Sequence, residues 1–301
     1  MDDLLFAVPN VSEGRDPATL KAVRAGFERT GAARVLDVHA DPDHHRAVFT
    51  IVARAGELAP AVLEGAKEAV ARIDVTAHPG LHPHVGAVDV APVVFLDEHL
   101  KGQAVAEALV LADEIGVRLD VPVLLYGHLA NGRTRAELRR GGPAELARRL
   151  RGSELRTDFG PPHPHPTAGS TLVAARPPLI AFNVELKPPA TLQTAKDIAA
   201  KLRESGSEGL PHVRAIGLQL ANRDDVAQVS FNVEDHRATP LADLIRAVRK
   251  HADVAEVEVV GLPPRAAFEG FPDDVEVRNR RTLEEALADA ENMARRPPGH
   301  A

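Results

Sequence analysis

The sequence contains no cysteine and no tryptophan, and aromatic residues make up only 3% of its 301 residues. Without cysteine, the chain can form no disulfide and offers neither a thiol nucleophile nor a thiolate metal ligand. The scarcity of aromatic side chains argues against the stacking platforms that bind single-stranded nucleic acids. The formal net charge of −7 also argues against a nucleic-acid partner, because phosphate binding depends on clustered lysine and arginine.

Long hydrophobic runs are missing as well. No stretch of about 18 apolar residues is available to span a bilayer, so we expect no membrane association. The N-terminal residues MDDLLFAVPNVSEG contain no basic leader, and their apolar run is too short for a signal peptide. We therefore expect a cytoplasmic protein. Hydrophobic residues make up 44% and charged residues 26%, as in a folded chain with room for one large domain or two smaller ones.

Strand and helix patterns alternate along the chain, which predicts an α/β (α+β) fold. The first ninety-odd residues have the order β-α-β-β-α-β. The predicted elements are a strand at 4–11, a helix from Pro17, strands at 34–38 and 46–53, a helix at 58–73 and a strand at 87–96.

The same order recurs in the second half. It is predicted from a strand at 179–186, a helix at 191–204, a strand pair at 212–220 and 226–235, a helix at 240–252 and a strand at 255–262. A helix at 101–116, a strand at 121–127 and a helix at 134–150 lie between the two halves. The doubled pattern predicts two ferredoxin-like β-α-β-β-α-β subdomains, spanning 1–177 and 178–301.

The connector at 156–171, RTDFGPPHPHPTAGST, is too rich in proline and glycine to form a helix or a strand. Its composition is typical either of a plain interdomain linker or of a binding loop, because loops at domain junctions often carry ligand contacts.

Histidine is the notable residue type, with 14 in the chain. The clustered members are His39, His44, His45, His78, His82, His84, His163 and His165. Three interpretations of this cluster are open. The histidines could be metal ligands, or acid/base catalysts, since an imidazole has a pKa near 6.5, or they could be residues without a special role. A metal site lacks a signature, because Pro79 and Gly80 break any helix that would align His78 with His82, and no HExxH motif is present.

The segment HPGLHPHVGAVDV has the proline and glycine content of a loop that holds its side chains rigidly. It is therefore a candidate for a catalytic histidine. Asp89, in the strand that follows, either orients an imidazole or only ends a strand pleat.

Several blocks of the sequence resemble the formiminotransferase domain family, in the same order and at nearly the same spacing. These blocks, which together cover nearly the whole chain, are AVPNVSEGR (7–15), LDVHADPDHHRAVFTIV (36–52), HPGLHPHVGAVDVAP (78–92), DVPVLLYG (120–127), DFGPPHPHPTAGST (158–171), LIAFNVEL (179–186) and AQVSFNVED (227–235).

The resemblance implies transfer of the formimino group from N-formimino-L-glutamate to tetrahydrofolate, in histidine degradation. It also implies two α/β subdomains with a ligand tunnel between their sheets, a homodimer, folate as co-substrate and no metal. Some family members carry a fused cyclodeaminase domain, which we do not expect in a chain of 301 residues. The alternatives are a related formyl-folate transferase or cycloligase, and a non-catalytic folate-binding protein of the same fold.

Site residues follow from the resemblance by position. His82 corresponds to the catalytic histidine, and one imidazole can both take the proton of the attacking amine and return it to the leaving nitrogen. Arg46, Arg133 and Arg139 stand where the family also places arginine, and we expect Arg46 and His39 to contact substrate. The folate-contacting loop corresponds to Gly160, Pro161, Pro162, His163, Pro164, His165, Pro166, Thr167, Ala168 and Gly169.

Four positions depart from the family pattern. Aspartate is common at His39, arginine at Ala77 and His84, and tryptophan at Ala168. The first three changes alter the charge beside the catalytic loop and bear on which one-carbon donor is used. The fourth removes an aromatic ring that would stack on the pterin.

Overall fold

The computed structural model describes residues 3–78, 83–220 and 223–295. The chain divides into two compact units, Met1–Pro177 and Pro178–Ala301. Each unit combines one β-sheet with helices, in a mixed α/β fold with two sheets. No helix in these ranges has the length and apolarity that crossing a membrane requires.

The first unit contains a seven-stranded sheet. Its strands are β1 (Leu4–Ala7), β2 (Asn10–Val11), β3 (Arg34–Asp41), β4 (Arg46–Arg54), β5 (Val88–Val94), β6 (Val123–Leu125) and β7 (Thr171–Arg176). Its helices are α1 (Pro17–Phe27), α2 (Leu58–Arg72), α3 (Lys101–Leu119), α4 (Arg135–Arg139) and α5 (Gly142–Arg151). Strands β1 and β2 both lie between β4 and β5 in antiparallel pairing, and β3 flanks β4. Strand β7 then adds in parallel to β5, and β6 adds in parallel to β7.

The second unit contains a five-stranded sheet in the order β12-β11-β8-β10-β9. Its strands are β8 (Ile180–Leu186), β9 (Val213–Leu220), β10 (Val226–Val233), β11 (Val254–Val260) and β12 (Val277–Arg278), and its helices are α6 (Leu192–Leu202), α7 (Leu241–Val248) and α8 (Leu283–Arg295). Alternating residues of β8 and β10, such as Phe182 and Phe231, pack with Ile198 of α6 and Leu244 of α7 in one core. The opposite face of this sheet is therefore left to the polar residues of the same strands.

Close packing of helix α1 against helix α2 depends on glycine. A Cβ atom at Gly65 of α2 would lie 2.1 Å from the Phe27 ring of α1, and one at Gly26 would lie 2.8 Å from the Glu64 carbonyl oxygen. Phe27, Phe49 and Val62 belong to the core that this packing encloses. Helix α1 begins as the sequence predicts, at Pro17, because the Asp16 carboxylate accepts hydrogen bonds from the backbone N–H groups of Ala18 and Thr19.

The structure corrects several predicted elements. The single strand predicted at 4–11 is two strands, because Pro9 has no N–H and Val8 bonds instead to the Pro92 carbonyl. The helix predicted at 134–150 is α4 and α5, separated by Arg140 and Gly141; Gly141 and the first residue of α5, Gly142, both have positive φ. The strand predicted at 121–127 shortens to Val123–Leu125, and the central strand β7 was not predicted at all.

Candidate functional site

Three of the sequence blocks that resemble the family meet on the first unit. The Ser12 hydroxyl donates to the Gly86 carbonyl at 2.8 Å, and the Ser12 backbone N–H donates to the Ala87 carbonyl at 2.9 Å. The Gly14 backbone N–H donates to Nδ1 of His45, in the β3–β4 hairpin, at 3.1 Å. The hairpin and the segment after His82 are thus both held by the loop at 12–14.

The connector at 156–171 joins the same assembly and lies inside the first unit, so it is not an interdomain linker. Its Ala168 carbonyl accepts from the Ala87 N–H at 2.8 Å, and its Ser170 N–H donates to the Val85 carbonyl at 2.9 Å. Its Thr167 carbonyl accepts from the Val75 N–H at 2.9 Å. The loop therefore bonds to the chain on both sides of residues 79–82.

Two glycines allow this close approach. A Cβ atom at Gly86 would lie 2.0 Å from the Ser170 carbonyl oxygen and 2.6 Å from that of Ala168. One at Gly169, which has φ +68°, would lie 2.3 Å from the Val85 carbonyl oxygen. Backbone atoms surround both positions, so a side chain can be accommodated only if the two loops separate.

We expect Gly86→Ala to push the connector away from residues 85–87 and to impair ligand binding and stability together. The cost should be about 1–3 kcal/mol, the usual cost of overpacking, measured by urea unfolding. Gly102→Ala is the matched control, because no atom lies within 4 Å of a Cβ at that helical position. A Gly86→Ala protein as stable as Gly102→Ala would contradict the packing described here.

The ten residues predicted to contact folate are not equally available. Gly160, Pro162, His163, Pro166 and Thr167 are exposed. Pro161, Pro164 and His165 are half-buried, while Ala168 and Gly169 are buried. The exposed members can contact a ligand directly, whereas the Ala168 side chain packs in the core of the unit.

His165 has a clear structural role within this loop. Its Nδ1 accepts hydrogen bonds from the backbone N–H groups of Thr167 and Ala168, at 3.3 and 3.0 Å. Its backbone also exchanges two hydrogen bonds with Gly169. Because Nδ1 is an acceptor, a neutral His165 carries its proton on Nε2.

Three histidine rings lie against one another, His45 stacked on His78 and His84 tilted by 54° against His78. The ring centroids of His45 and His78 lie 4.5 Å apart with 15° between their planes, and those of His78 and His84 lie 4.2 Å apart. His78 Nε2 donates to the His45 carbonyl oxygen at 2.8 Å, which fixes its proton on Nε2. The stack attaches the start of the loop to the hairpin.

This stack disfavours the charged imidazole. Burial lowers the pKa of His78, and the nearby His84 and His45 lower it further. Burial also lowers the pKa of His45, against the opposing charge of Glu13, whose carboxylate lies 3.3 Å from Nδ1. Arg15 and His84 add to the lowering at His45. Both rings are therefore held neutral at pH 7.

The free energy of unfolding should fall as the pH drops below about 6.5, because the unfolded chain then binds protons that the folded rings resist. His78→Phe, which keeps a ring but cannot titrate, should show a shallower dependence between pH 7.5 and 5.5 in urea unfolding. His163→Phe, at an exposed position of the connector, is the control. An equal slope in the wild type and in His78→Phe would show that the stack does not resist protonation.

Arg46 is a half-buried cation without a carboxylate partner among the described residues. Its Nε is buried and makes no hydrogen bond there. Burial lowers the pKa of Arg46 to about 10, although the charges of Asp41 and Asp89 oppose the shift. A guanidinium group in this state is suited to binding the carboxylate of a ligand.

The neighbouring acidic residues are already engaged. The Asp41 carboxylate accepts hydrogen bonds from the His44 backbone N–H, at 2.9 Å, and from His44 Nδ1, at 2.5 Å. Burial opposes ionisation of Asp41, but the bonds and charge of His44 outweigh it and lower its pKa to about 2. His44 is only 3% exposed, so this pair shapes the hairpin rather than meeting a ligand.

Asp89 orients no described imidazole. Its carboxylate pairs with both Nε and Nη2 of Arg139 and accepts from the Val85 N–H at 2.9 Å. Arg133 similarly pairs with Asp158 and donates to the Leu125 carbonyl at 2.9 Å. Of the three arginines at family positions, Arg46 alone lacks a carboxylate partner in the described part of the chain.

The structure describes one of the two remaining predicted residues, His39, but not the other, His82. His39 lies half-buried in β3, opposite Val48, on the same sheet face as Arg46. His82, the predicted catalytic residue, lies outside the described residues. The structure thus brings the predicted loop, His39 and Arg46 into one unit with both flanks of the His82 segment.

Comparison with known families agrees with this assembly. The model of the formiminotransferase domain, N-terminal subdomain, matches residues 4–176, and that of the formiminotransferase domain matches residues 181–265. The chain belongs to the formiminotransferase domain family. The two matches fall in the two units of the structure.

Several proteins named as formimidoyltransferases are similar to the chain. A glutamate formimidoyltransferase from Streptococcus pyogenes is 33% identical over 276 residues, covering 89% of this chain and 91% of its own. One from Thermoplasma acidophilum is 33% identical and covers 88% and 89%. A formimidoyltransferase-cyclodeaminase from Mus musculus is 34% identical over 87% of this chain but only 49% of its own length.

Several supporting residues could not be inferred from the sequence. Ser12, Gly14 and the Asp89–Arg139 pair were not assigned their contacts, because each partner lies far away along the chain. Two polar strand positions in the second unit, Glu185 and Gln228, were also missed. The signal available for them was the alternation of polar and apolar residues in β8 and β10.

Proposed function

We propose that this chain is a glutamate formimidoyltransferase, which transfers the formimino group of N-formimino-L-glutamate to tetrahydrofolate in histidine degradation. The observation that carries the proposal is the bonding of the 160–169 loop to both sides of residues 79–82, in a chain of the formiminotransferase family. That arrangement joins the proposed folate loop to the described residues before and after the proposed catalytic residue.

The reaction needs two proton transfers at one carbon. The folate amine attacks the amidine carbon and loses a proton, and the bond from that carbon to the glutamate nitrogen breaks as this nitrogen gains one. The products are formimino-tetrahydrofolate and glutamate. We assign both transfers to His82, first as general base and then as general acid.

Arg46 is proposed to hold a substrate carboxylate. Both substrates carry carboxylates, and a charge-assisted bond to the half-buried Arg46 would fix the position of one of them. His39 shares the face of the sheet with Arg46 and is proposed to contact the same substrate. The exposed members of the 160–169 loop are proposed to contact folate.

The finer architecture is also proposed from the family. We assign a ferredoxin-like β-α-β-β-α-β pattern to each subdomain, 1–177 and 178–301, a ligand tunnel between the two sheets and a homodimer. The strand order in each unit supports the ferredoxin-like pattern, since the first strand lies between the third and the fourth of the pattern. The cytoplasm is the proposed location. Folate serves as a co-substrate, and proton transfer by an imidazole requires no metal.

A panel of substrates tests the assignment. Wild-type protein should form formimino-tetrahydrofolate from formiminoglutamate and tetrahydrofolate, at a far higher kcat/KM than any conversion of 5-formyltetrahydrofolate. Preference for the formyl-folate would instead indicate a cycloligase. This alternative is tested because His39 and His84 differ from the residues that are common in the family. Folate binding without turnover of either compound would indicate a binding protein.

A further inference from the structure

The face of the second sheet opposite α6 and α7 has a glutamine at its centre. In β10, Ala227 and Val229 pack in the core with these helices. Gln228 stands between them in the strand, so strand alternation places its side chain on the opposite face. The neighbouring strands place Glu185 of β8 and Leu218 of β9 directly across from Gln228. The glutamine position is therefore flanked by a carboxylate on one side and by an apolar side chain on the other.

The Gln228 amide is buried but makes no hydrogen bond within the part of the chain that the structure describes. The residue is 1% exposed, and neither Oε1 nor Nε2 has a partner there. An unsatisfied buried amide is costly in free energy, so such groups usually have a partner in the working protein. That partner must donate to Oε1 and accept from Nε2 side by side. A group with donors alone, or a carboxylate with acceptors alone, satisfies only half of the amide.

An apolar strip, formed by Ile216 and Leu218 of β9, borders this amide. Leu218 lies across from Gln228, and Ile216 lies across from Ser230, the next residue of β10 on the same face. Ile216 is 47% exposed, although it lies within a strand. Ligand sites in proteins are typically apolar surfaces with a few precisely placed polar groups. The strip and the amide together suit a flat ring that has a hydrogen-bonding edge.

We infer that Gln228 binds the lactam edge of the pterin ring of tetrahydrofolate, an inference that rests on the proposed function. A lactam holds an N–H donor and a C=O acceptor side by side within a ring, which is the complement of a primary amide. The pterin N3–H donates to Gln228 Oε1, and Gln228 Nε2 donates to the carbonyl oxygen at C4. Glutamine binds the edge of adenine through the same kind of paired hydrogen bonds. The ring packs on the strip of Ile216 and Leu218.

Calorimetric titration of the full chain with tetrahydrofolate tests the inference. Gln228→Met keeps the length of the side chain but removes both hydrogen bonds, so it should weaken tetrahydrofolate binding by about 10- to 100-fold. The affinity for N-formimino-L-glutamate, which has no lactam, should stay within about twofold of wild type. Gln219→Met is the matched control and should leave both affinities unchanged. Gln219 is exposed, and its register opposite Ala227 places it on the other face of the sheet.

Urea unfolding separates this role from a structural one. Gln228→Met should be at least as stable as wild type, because the amide makes no hydrogen bond to the described residues that the variant would break. Ile216→Ser, at an exposed position, is the second variant and should weaken tetrahydrofolate binding by about 3- to 10-fold.

The outcomes separate the inference from the proposed function. Tetrahydrofolate binding within about threefold of wild type in folded Gln228→Met overturns the inference alone and indicates that water satisfies the amide. Equal weakening of both ligands also overturns it, because the effect is then not specific to the pterin. Wild-type protein that binds tetrahydrofolate but transfers no formimino group overturns the proposed function alone. Wild-type protein that does not bind tetrahydrofolate overturns both.

Discussion

Replacing Arg46 with methionine should lower kcat/KM for formimino transfer by about 10- to 100-fold, mainly through KM, while the free energy of unfolding stays within about 1 kcal/mol or rises. The activity falls because the Arg46 guanidinium group no longer binds a substrate carboxylate. Stability does not fall, because the half-buried Arg46 has a buried Nε without a hydrogen bond and no carboxylate partner among the described residues. Steady-state kinetics and urea unfolding measure the two effects.

Arg139→Met is the matched comparison and should behave in the opposite way. It leaves the Asp89 carboxylate, which is 1% exposed, without its arginine. Breaking a buried ion pair in this manner costs about 3–5 kcal/mol. If Arg46→Met proved as destabilising as Arg139→Met, Arg46 would be a structural residue and its role in substrate binding would be wrong.

Replacing His82 with alanine should lower kcat by about 10²- to 10⁴-fold, the usual contribution of general acid/base catalysis. Folate affinity, measured by calorimetry, should change by less than about threefold, because the residue is assigned to proton transfer and the loop at 160–169 to binding. His163→Ala is the comparison. It removes an exposed imidazole of that loop and should weaken folate binding more than it lowers kcat.

The outcome that would reject the role of His82 is turnover by His82→Ala within about threefold of wild type. Loss of folate binding in His82→Ala, with kcat preserved at saturating folate, would instead make His82 a binding residue. The two results are distinguishable because kcat and affinity are measured separately.

Helices and long strands could be predicted well from the sequence, because their periodicity is local. Helix α1 begins at Pro17 and α2 spans Leu58–Arg72, within one residue of the prediction. The errors occur where a local pattern is ambiguous. Strand β7 follows a segment rich in proline and glycine, and only its parallel pairing with β5 shows that it belongs to the sheet. The interruption at Pro9 likewise depends on where the neighbouring strands offer hydrogen bonds.

In the candidate site, too, some features could be predicted from the sequence and others are seen only in the structure. Family resemblance indicated the 160–169 loop and Arg46, and the structure adds how each is held. It could not be inferred from the sequence that Arg46 lacks an ion pair while Arg139 and Arg133 have one, because this depends on contacts between residues 25 and 50 positions apart. From the sequence, Asp89 either orients an imidazole or only ends a strand pleat. The structure shows its contacts with Arg139 and Val85, which sequence spacing does not indicate.

The reaction itself can be followed directly with a donor labelled with ¹³C at the formimino carbon. Wild-type protein mixed with labelled N-formimino-L-glutamate and tetrahydrofolate should move the label to folate, with one glutamate released for each label transferred, as seen by NMR. Label that remains on glutamate, or that appears as free formamide or formate without reaching folate, would contradict the account.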